Sequence, residues 1–431
     1  MRRWLVLAAV TLLAGLTQAA DKVAVVGPSF EGAEGFGAMA KGGADGRTLR
    51  VTTLEDDPAN VRPGSLRWAV AERGPRVVGF DVAGNIRLKA PLKVTEPFLT
   101  IDGRDAPGDG ICICDHSLWC KNTHDVIVRH VRLRHGDVET LRMVEAARLE
   151  RPKNSIDLDS VSLDDSKNLI FDHCSLSWCC DEAFGIVRCE NVTIQWCLIA
   201  EPLANPKLHP YGDRHAFGLN TSANTLSMHH CLVAHYVMRG PQFEANDVRR
   251  AMGYDVRMEA VNNVLFDYER SGSRYTTGIE DHPEEAAGRQ FQFQFINNYY
   301  LNPDNRKPEI EAVLKHGVTD QLQVYIAGNL GPHRPQDSVD ELAGVATDTR
   351  DPIRSAPAEV RAQLVANRLF TPPVPVTIER AVDAYRRVLD QVGCNLHRDP
   401  VDERIITNVK SRRFGRIVKS QADVGGWPDL K

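Results

Sequence analysis

Three times in this chain a short apolar strand runs into a cysteine at the same place, as NLIFDHCSL (168–176), VTIQWCLIA (192–200) and LSMHHCLVA (226–234). Asparagine then takes the slot in EAVNNVLF (259–266) and FQFINNYY (293–300), and more loosely in QVYIAGNL (323–330). Aligned, the slot holds Cys174, Cys197, Cys231, Asn263, Asn298 and Asn329, at intervals of 23, 34, 32, 35 and 31 residues. A short minimum period with variable insertions means stacked coils, each too small to bury its own apolar face and stable only when laid on its neighbours. Strands rich in Val, Ile and Leu with Asn at the turns give an all-β parallel β-helix. Asn suits the slot because its amide can bond the turn backbone and the Asn of the next coil, and because it tolerates left-handed backbone angles. A stacked Cys is a small buried filler.

That repeat assigns most of the 431 residues to one elongated solenoid instead of two or three ordinary domains. The first residues read as an export signal. MRRWLVLAAVTLLAGLTQAADK has basic Arg2 and Arg3, an apolar run from Trp4 to Leu16, and small residues up to Ala20. The expected division is a signal peptide over 1–19, a β-helix catalytic domain over 20–331 and a tail over 332–431 packed on the solenoid. The apolar run is short for a membrane span and no later segment supplies one, so a secreted product that does not enter membranes is expected. Without Arg2 and Arg3 the formal net charge moves from -5 to -7, which disfavours nucleic acid and requires any anionic ligand to be held locally. Ten cysteines in an exported chain permit disulfides, but the three ladder cysteines read as buried thiols, and no Cys-x-x-Cys pair suggests zinc.

Other segments fill in the architecture. The glycines of EGFGAMAKGGADG (31–46 region) read as shaping the approach to the first coil, and GSLRWAVAERG (64–74) as a capping helix ending at Gly74. Two insertions lengthen the coils, MVEAARLERPKN (143–154) and PLANPKLHPYGDRHAFG (202–218), and such loops often build a solenoid's binding face. In the tail, TIERAVDAYRRVLDQVG (377–393) carries apolar residues at helical spacing and predicts an amphipathic helix.

The chemistry comes from register. Asp159 in SIDLDSVSL precedes Asp181 by 22 residues, about one bare coil, so Asp159 should stack on Asp181 and Glu182 at the coil spacing of about 4.8 Å. Stacked carboxylates repel unless a positive group lies between them, and Ca²⁺ suits an exported oxygen-ligand cluster. Glu182 follows Cys174 by eight residues and Arg239 follows Cys231 by eight, which puts them two coils apart with room for a sugar between. A cation facing an arginine suits a uronic acid polymer. Cation binding at the C6 carboxylate acidifies the proton on C5, and loss of the C4 oxygen then completes a β-elimination. His173, His229 and His230 read as turn or core residues, and Asp164 and Asp165 as a turn pair. Two rivals remain open: a pectin hydrolase using acids such as Asp157, Asp159 and Asp181, and a non-catalytic glycan-binding solenoid.

The ordered segments GSLRWAV, FDVAGNI, LTIDGRDAPG, VIVRHVRLRHGD, FDHCSLSW, VTIQWCLIAE, HHCLVAHYVMRGP and NNVLF resemble the pectate lyases of polysaccharide lyase family 1 over about residues 34–331. The ending RIVKSQADVGGWPDL is similar to the tails of bacterial members. The resemblance implies a right-handed single-stranded β-helix, a Ca²⁺ cofactor and cleavage of polygalacturonate, or another uronan, by a monomeric enzyme. It implies Arg239, in Arg-x-Pro, as the Brønsted base, Asp159 with Asp181 or Glu182 as metal ligands, and Lys207 and His215 as substrate-binding residues. The chain departs from the family where an acid gives way to Gly185, and where a second arginine after Arg-x-Pro is missing, with Arg249 or Arg250 as possible substitutes.

Overall fold

A computed structural model describes residues 27–150, 158–245, 254–279, 283–315 and 317–431. The expected signal peptide, Asp157, Arg249 and Arg250 lie outside the described residues. Among those described, the chain winds through three all-parallel sheets of eleven, eight and nine strands. One coil shows the pattern: Lys167–Asp172 in the first sheet, Ser175–Ser177 in the second, Glu182–Val187 in the third, then Glu190–Gln195 back beside the start. The core between the sheets is a column of inward Val, Ile, Leu and Phe, such as Leu169, Val192, Leu226 and Met258, none of which is exposed.

The ladder at the turn after the first sheet is continuous. The Asn263 amide N–H donates to Asn298 Oδ1 (2.9 Å) and that of Asn298 to Asn329 Oδ1 (3.0 Å). Cys231 N–H donates to Asn263 Oδ1 at 2.9 Å, and Cys197 N–H to Cys231 Sγ at 3.4 Å. All ten cysteines are buried free thiols. The left-handed residue is not the slot itself, as anticipated, but the one before it. His130, His173, Trp196, His230, Asn262 and Asn297 have φ between 50° and 55°, and Gly328 has 66°. Their rings stack from coil to coil, with His130 on His173 at 4.8 Å and Trp196 on His230 at 4.4 Å. His173 also bonds Asp172 (2.8 Å) and His230 bonds Glu379 (3.0 Å), so these histidines are structural.

Helix α1 (Leu66–Ala71) is capped by Ser65, whose hydroxyl accepts from Trp68 N–H, and it stops at Glu72 before the expected Gly74. The first insertion forms α2 (Val138–Glu150). The glycine-rich segment crosses the outer face of the first sheet from its middle strands and then enters the first coil, with Gly43 and Gly46 against the Arg76 and Pro75 carbonyls just before the first strand, Arg47–Val51. A Cβ on Gly37 would come within 2.1 Å of the Leu169 carbonyl, so only glycine lets the backbones meet there. Past 331, Val345–Thr347 extends the third sheet and Leu364–Val365 the first. Just before Leu364–Val365, α3 (Ala358–Ala362) packs Val360 on the end of the main core, and the chain then runs back to α4 (Ala381–Gln391) and α5 (Pro400–Lys410) on the second sheet. Val388, Leu389, Ile405 and Ile406 pack on Leu198, Leu232 and Val264. The tail ends beside the early coils, where Asp109 N–H donates to the Lys431 carbonyl at 2.7 Å.

Candidate active site

On the outer face of the third sheet a cleft of about 500 Å³ is lined by Asp159, Asp181, Glu182, His215 and Arg239, together with Lys121, Ser162, Asp164, His209, Tyr211 and Asn220. Parallel register brings them together. Ser162 pairs with Gly185, Gly185 with Asn220 and Asn220 with Gln242, so Asp159, Glu182 and Phe217 occupy the same position on successive coils, with Arg239 just beyond. Asp159 is locked in place: its Oδ1 accepts from Glu182 N–H (3.0 Å) and its Oδ2 from Ser162 Oγ (3.3 Å).

The expected gap between Glu182 and Arg239 is closed. The guanidinium lies over the Phe217 ring, 4.2 Å from its centroid, and pairs directly with Glu182. Arg239 sits at φ 69°, in the left-handed region, which turns its side chain back along the sheet toward the earlier coil.

Donor oxygens of Asp159, Asp181 and Glu182 all lie within 4.8 Å of one another. Crowding separates their acidities. Burial and the Asp181 and Asp159 charges push Glu182 well above its ordinary value, against the pull of Arg239. Burial would raise Asp181 too, but contacts from His209 and His215 hold it below the usual carboxylate range. His215 is raised: burial lowers it, and its contact with Asp181, Nδ1 to Oδ1 at 2.7 Å, more than offsets that. Three carboxylates facing one guanidinium leave excess negative charge in a partly dry cleft, and three converging oxygen donors suit a hard divalent cation. Gly185 belongs to this design: a Cβ there would stand 1.9 Å from Asp159 Oδ2, so Asp159 fills the space an acidic side chain at 185 would need.

Lys207 does not join the others. It lies exposed on the short helix Pro206–Leu208 and is not among the cleft's lining residues. Its place as the lining lysine is taken by Lys121, which stands one coil before Asp164 in the third sheet and over Trp119, 4.3 Å from the ring centroid. The sequence reading missed Lys121, although its outward position beside Asp164 follows from register. His209, on the same insertion as His215, also lines the cleft. Asp164 lines the cleft, while Asp165 has φ 48° and is paired with Arg188 at 2.7 Å, a turn role.

Together the fold and cleft define a solenoid with an anionic, cation-attracting groove and one opposed arginine. No family model matches the chain. Among curated proteins it is similar to a "probable pectate lyase C" of Emericella nidulans, 29% identical over 422 residues that cover 97% of this chain and 84% of that protein. A protein of the same name from Aspergillus flavus is 28% identical over 406 residues, covering 93% and 82%. Among solved structures, the fold is similar to jun a 1, the major allergen from cedar pollen, with a TM-score of 0.53 and 16% identity over 84% of this chain and 92% of that one. It is also similar to a pectate lyase bound to a hexasaccharide, with a TM-score of 0.53 and 11% identity over 84% and 97%. The chain therefore resembles pectate lyases in sequence over nearly its whole length and shares their parallel β-helix fold.

Proposed function

We propose that this protein is a secreted pectate lyase that cleaves (1→4)-α-D-galacturonan by β-elimination and leaves a 4,5-unsaturated oligouronide. The observation that carries the reading is Arg239, held over Phe217 against a cluster of three carboxylates on the outer face of the third sheet. The resemblance to proteins named pectate lyase supports the substrate class.

Asp159, Asp181 and Glu182 would hold Ca²⁺. Bound there, the cation would neutralise the substrate's C6 carboxylate and acidify the C5 proton. The protein's own groups do the rest. Arg239, as the neutral guanidine, takes the C5 proton while the C5–H electron pair forms the C4=C5 double bond and the C4 oxygen leaves, taking a proton from water; to reach C5 the side chain must leave Glu182. Glu182, buried among other acids, then needs another positive partner, so the same carboxylate that restrains Arg239 in the free protein makes its release depend on a filled cleft. Lys121, at the cleft wall, offers an ammonium to a neighbouring uronate carboxylate. Inverting hydrolysis fits less well: one oxygen from each carboxylate lies within 4.8 Å of the others, whereas an inverting hydrolase separates its two carboxyl groups by about 6.5–9.5 Å.

The test is incubation of purified protein with polygalacturonate while following the ultraviolet absorbance of the conjugated uronide. A rise that is absent in Arg239→Ala supports elimination with Arg239 as base. A rise that Arg239→Ala leaves intact removes Arg239 from the chemistry.

A further inference from the structure

The second insertion contributes more than bulk to the cleft. It carries His209 and His215, whose ring centroids lie 3.7 Å apart, and both rings face Asp181. We propose that His209, His215 and Asp181 form a site for a first-row transition-metal dication such as Zn²⁺ or Mn²⁺, beside the carboxylate pair Asp159 and Glu182. The inference goes beyond the lyase reading, because it stands on donor geometry whatever the cleft cleaves.

Three features of this cluster support it. One ligand atom from each of the three residues lies within 4.8 Å of the other two. The imidazoles are held from behind by one further carboxylate: Asp213 Oδ1 is 3.1 Å from His209 Nδ1 and its Oδ2 is 3.3 Å from His215 Nε2. A carboxylate that takes the outer N–H of a histidine, fixes its tautomer and leaves the other nitrogen free is the usual support of a metal-bound imidazole. The Tyr211 N–H donates to the same His209 Nδ1 at the longer distance of 3.4 Å and competes there with Asp213 at 3.1 Å.

The two inner nitrogens are aimed at Asp181 without being bonded to it in the ordinary way. His209 is 7% exposed, and its Nε2 stands 3.6 Å from Asp181 Oδ2, beyond hydrogen-bond length. His215 Nδ1 lies 2.7 Å from Asp181 Oδ1, yet as a buried atom it makes no hydrogen bond of acceptable geometry. Two nitrogens and a carboxylate oxygen within 4.8 Å of one another are grouped as a ligand set is around a centre. Two imidazolium ions could also neutralise Asp181, but rings 3.7 Å apart would then repel.

Donor chemistry selects the metal. Ca²⁺ takes oxygen ligands, whereas imidazole suits the first-row transition metals, with geometry choosing among them. Three protein ligands leave a further position for water or a substrate oxygen. With Gly185 supplying no acid, the loop histidines take the place of the missing hard ligand, and the cleft becomes a mixed nitrogen and oxygen site.

The test uses the whole purified protein, stripped with a chelator and dialysed against Zn²⁺, Mn²⁺ or Ca²⁺ singly, with bound metal measured by atomic emission and Co²⁺ absorption reporting nitrogen ligation. One equivalent of transition metal is expected, bound more tightly than Ca²⁺ and lost in His209→Gln and His215→Gln, while His397→Gln, remote from the cleft, retains it. Asp213→Asn changes a side chain that is 62% exposed, so it keeps the fold if the histidine variants do not. It should weaken binding by about tenfold or more. The proposal is overturned if no transition metal binds, or if metal binds equally to the histidine variants and is lost only in Asp159→Asn. Because binding is measured without substrate, neither result depends on whether the protein is a lyase.

Discussion

Two clusters of buried charge sit on different faces of this solenoid, and they differ in balance. Under the tail, Arg132 and Arg134 face Asp399 and Asp402 with side chains 0–1% exposed; Arg134 Nη2 donates to Asp402 at 2.9 Å and Arg132 Nε lies 3.3 Å from Asp399. Two cations meet two anions, and the remaining oxygens are taken up by Ser175 Oγ (2.6 Å) and the first N–H groups of α5. In the cleft, Asp159, Asp181 and Glu182 face one guanidinium and two histidines. The first cluster is balanced in charge within the protein alone and fastens the tail, although Arg132 Nε and Nη2 and Arg134 Nε make no hydrogen bond. The second is left negative, and that imbalance gives it an appetite for a cation and a role beyond packing.

The contrast predicts opposite consequences for two arginine substitutions. Arg134→Ala strands buried Asp399 and Asp402 and should cost about 3–5 kcal/mol of stability, read from denaturant midpoints. If it costs nothing, the tail is not held by these charges. Arg239→Ala unpairs Glu182, but in a cleft open to solvent where that carboxyl can take up a proton, so it should cost less stability than Arg134→Ala, while elimination on polygalacturonate falls by about 10²–10⁴-fold. A large loss of stability there would make Arg239 a structural residue like Arg134.

A further buried acid, outside both clusters and with only a long contact to a cation, sharpens the comparison. Glu259 lies under the tail at Arg368 and accepts from Ser227 Oγ at 2.7 Å. Burial raises it from 4.5 to about 7, against the pull of Ser227 and Arg368. An acid raised on folding contributes fully below its unfolded value and loses that contribution as pH climbs through the folded one. Stability should therefore fall between about pH 4.5 and 7, by roughly 3 kcal/mol. Glu259→Gln should flatten that slope in denaturant melts taken on either side of the window. A slope that survives belongs to other groups. The smallest effect is expected from Gly185→Ala, whose Cβ would meet Asp159 Oδ2 at 1.9 Å. Displacing this one ligand should weaken cation binding by about tenfold, measured by titration calorimetry, with little change in melting.

The coil architecture was legible because one slot repeats: Cys174, Cys197 and Cys231, then Asn263, Asn298 and Asn329, mark the same turn. The left-handed position just before it was equally periodic, but His, Trp and Asn there do not share a composition that announces it. Helix α5 was missed although Asp399 and Pro400 are an N-cap and first-turn pair, a signal that could have found it. At the cleft, register located Asp159, Glu182 and Arg239 on strands or strand ends. It failed where residues sit on loops: Lys207 turned away from the cleft, and the approach of His209 to Asp181 depends on how residues 202–218 fold back, which no strand spacing encodes.

The most direct test of the central claim is to cleave trigalacturonate in isotopically labelled water and weigh the products. Elimination by the Arg239 cleft predicts fragments whose masses sum to that of the substrate, with an unsaturated end and no label, and no cleavage in Arg239→Ala. A product that has gained labelled oxygen at its new reducing end would mean that the acids hydrolyse the chain, and would contradict the account.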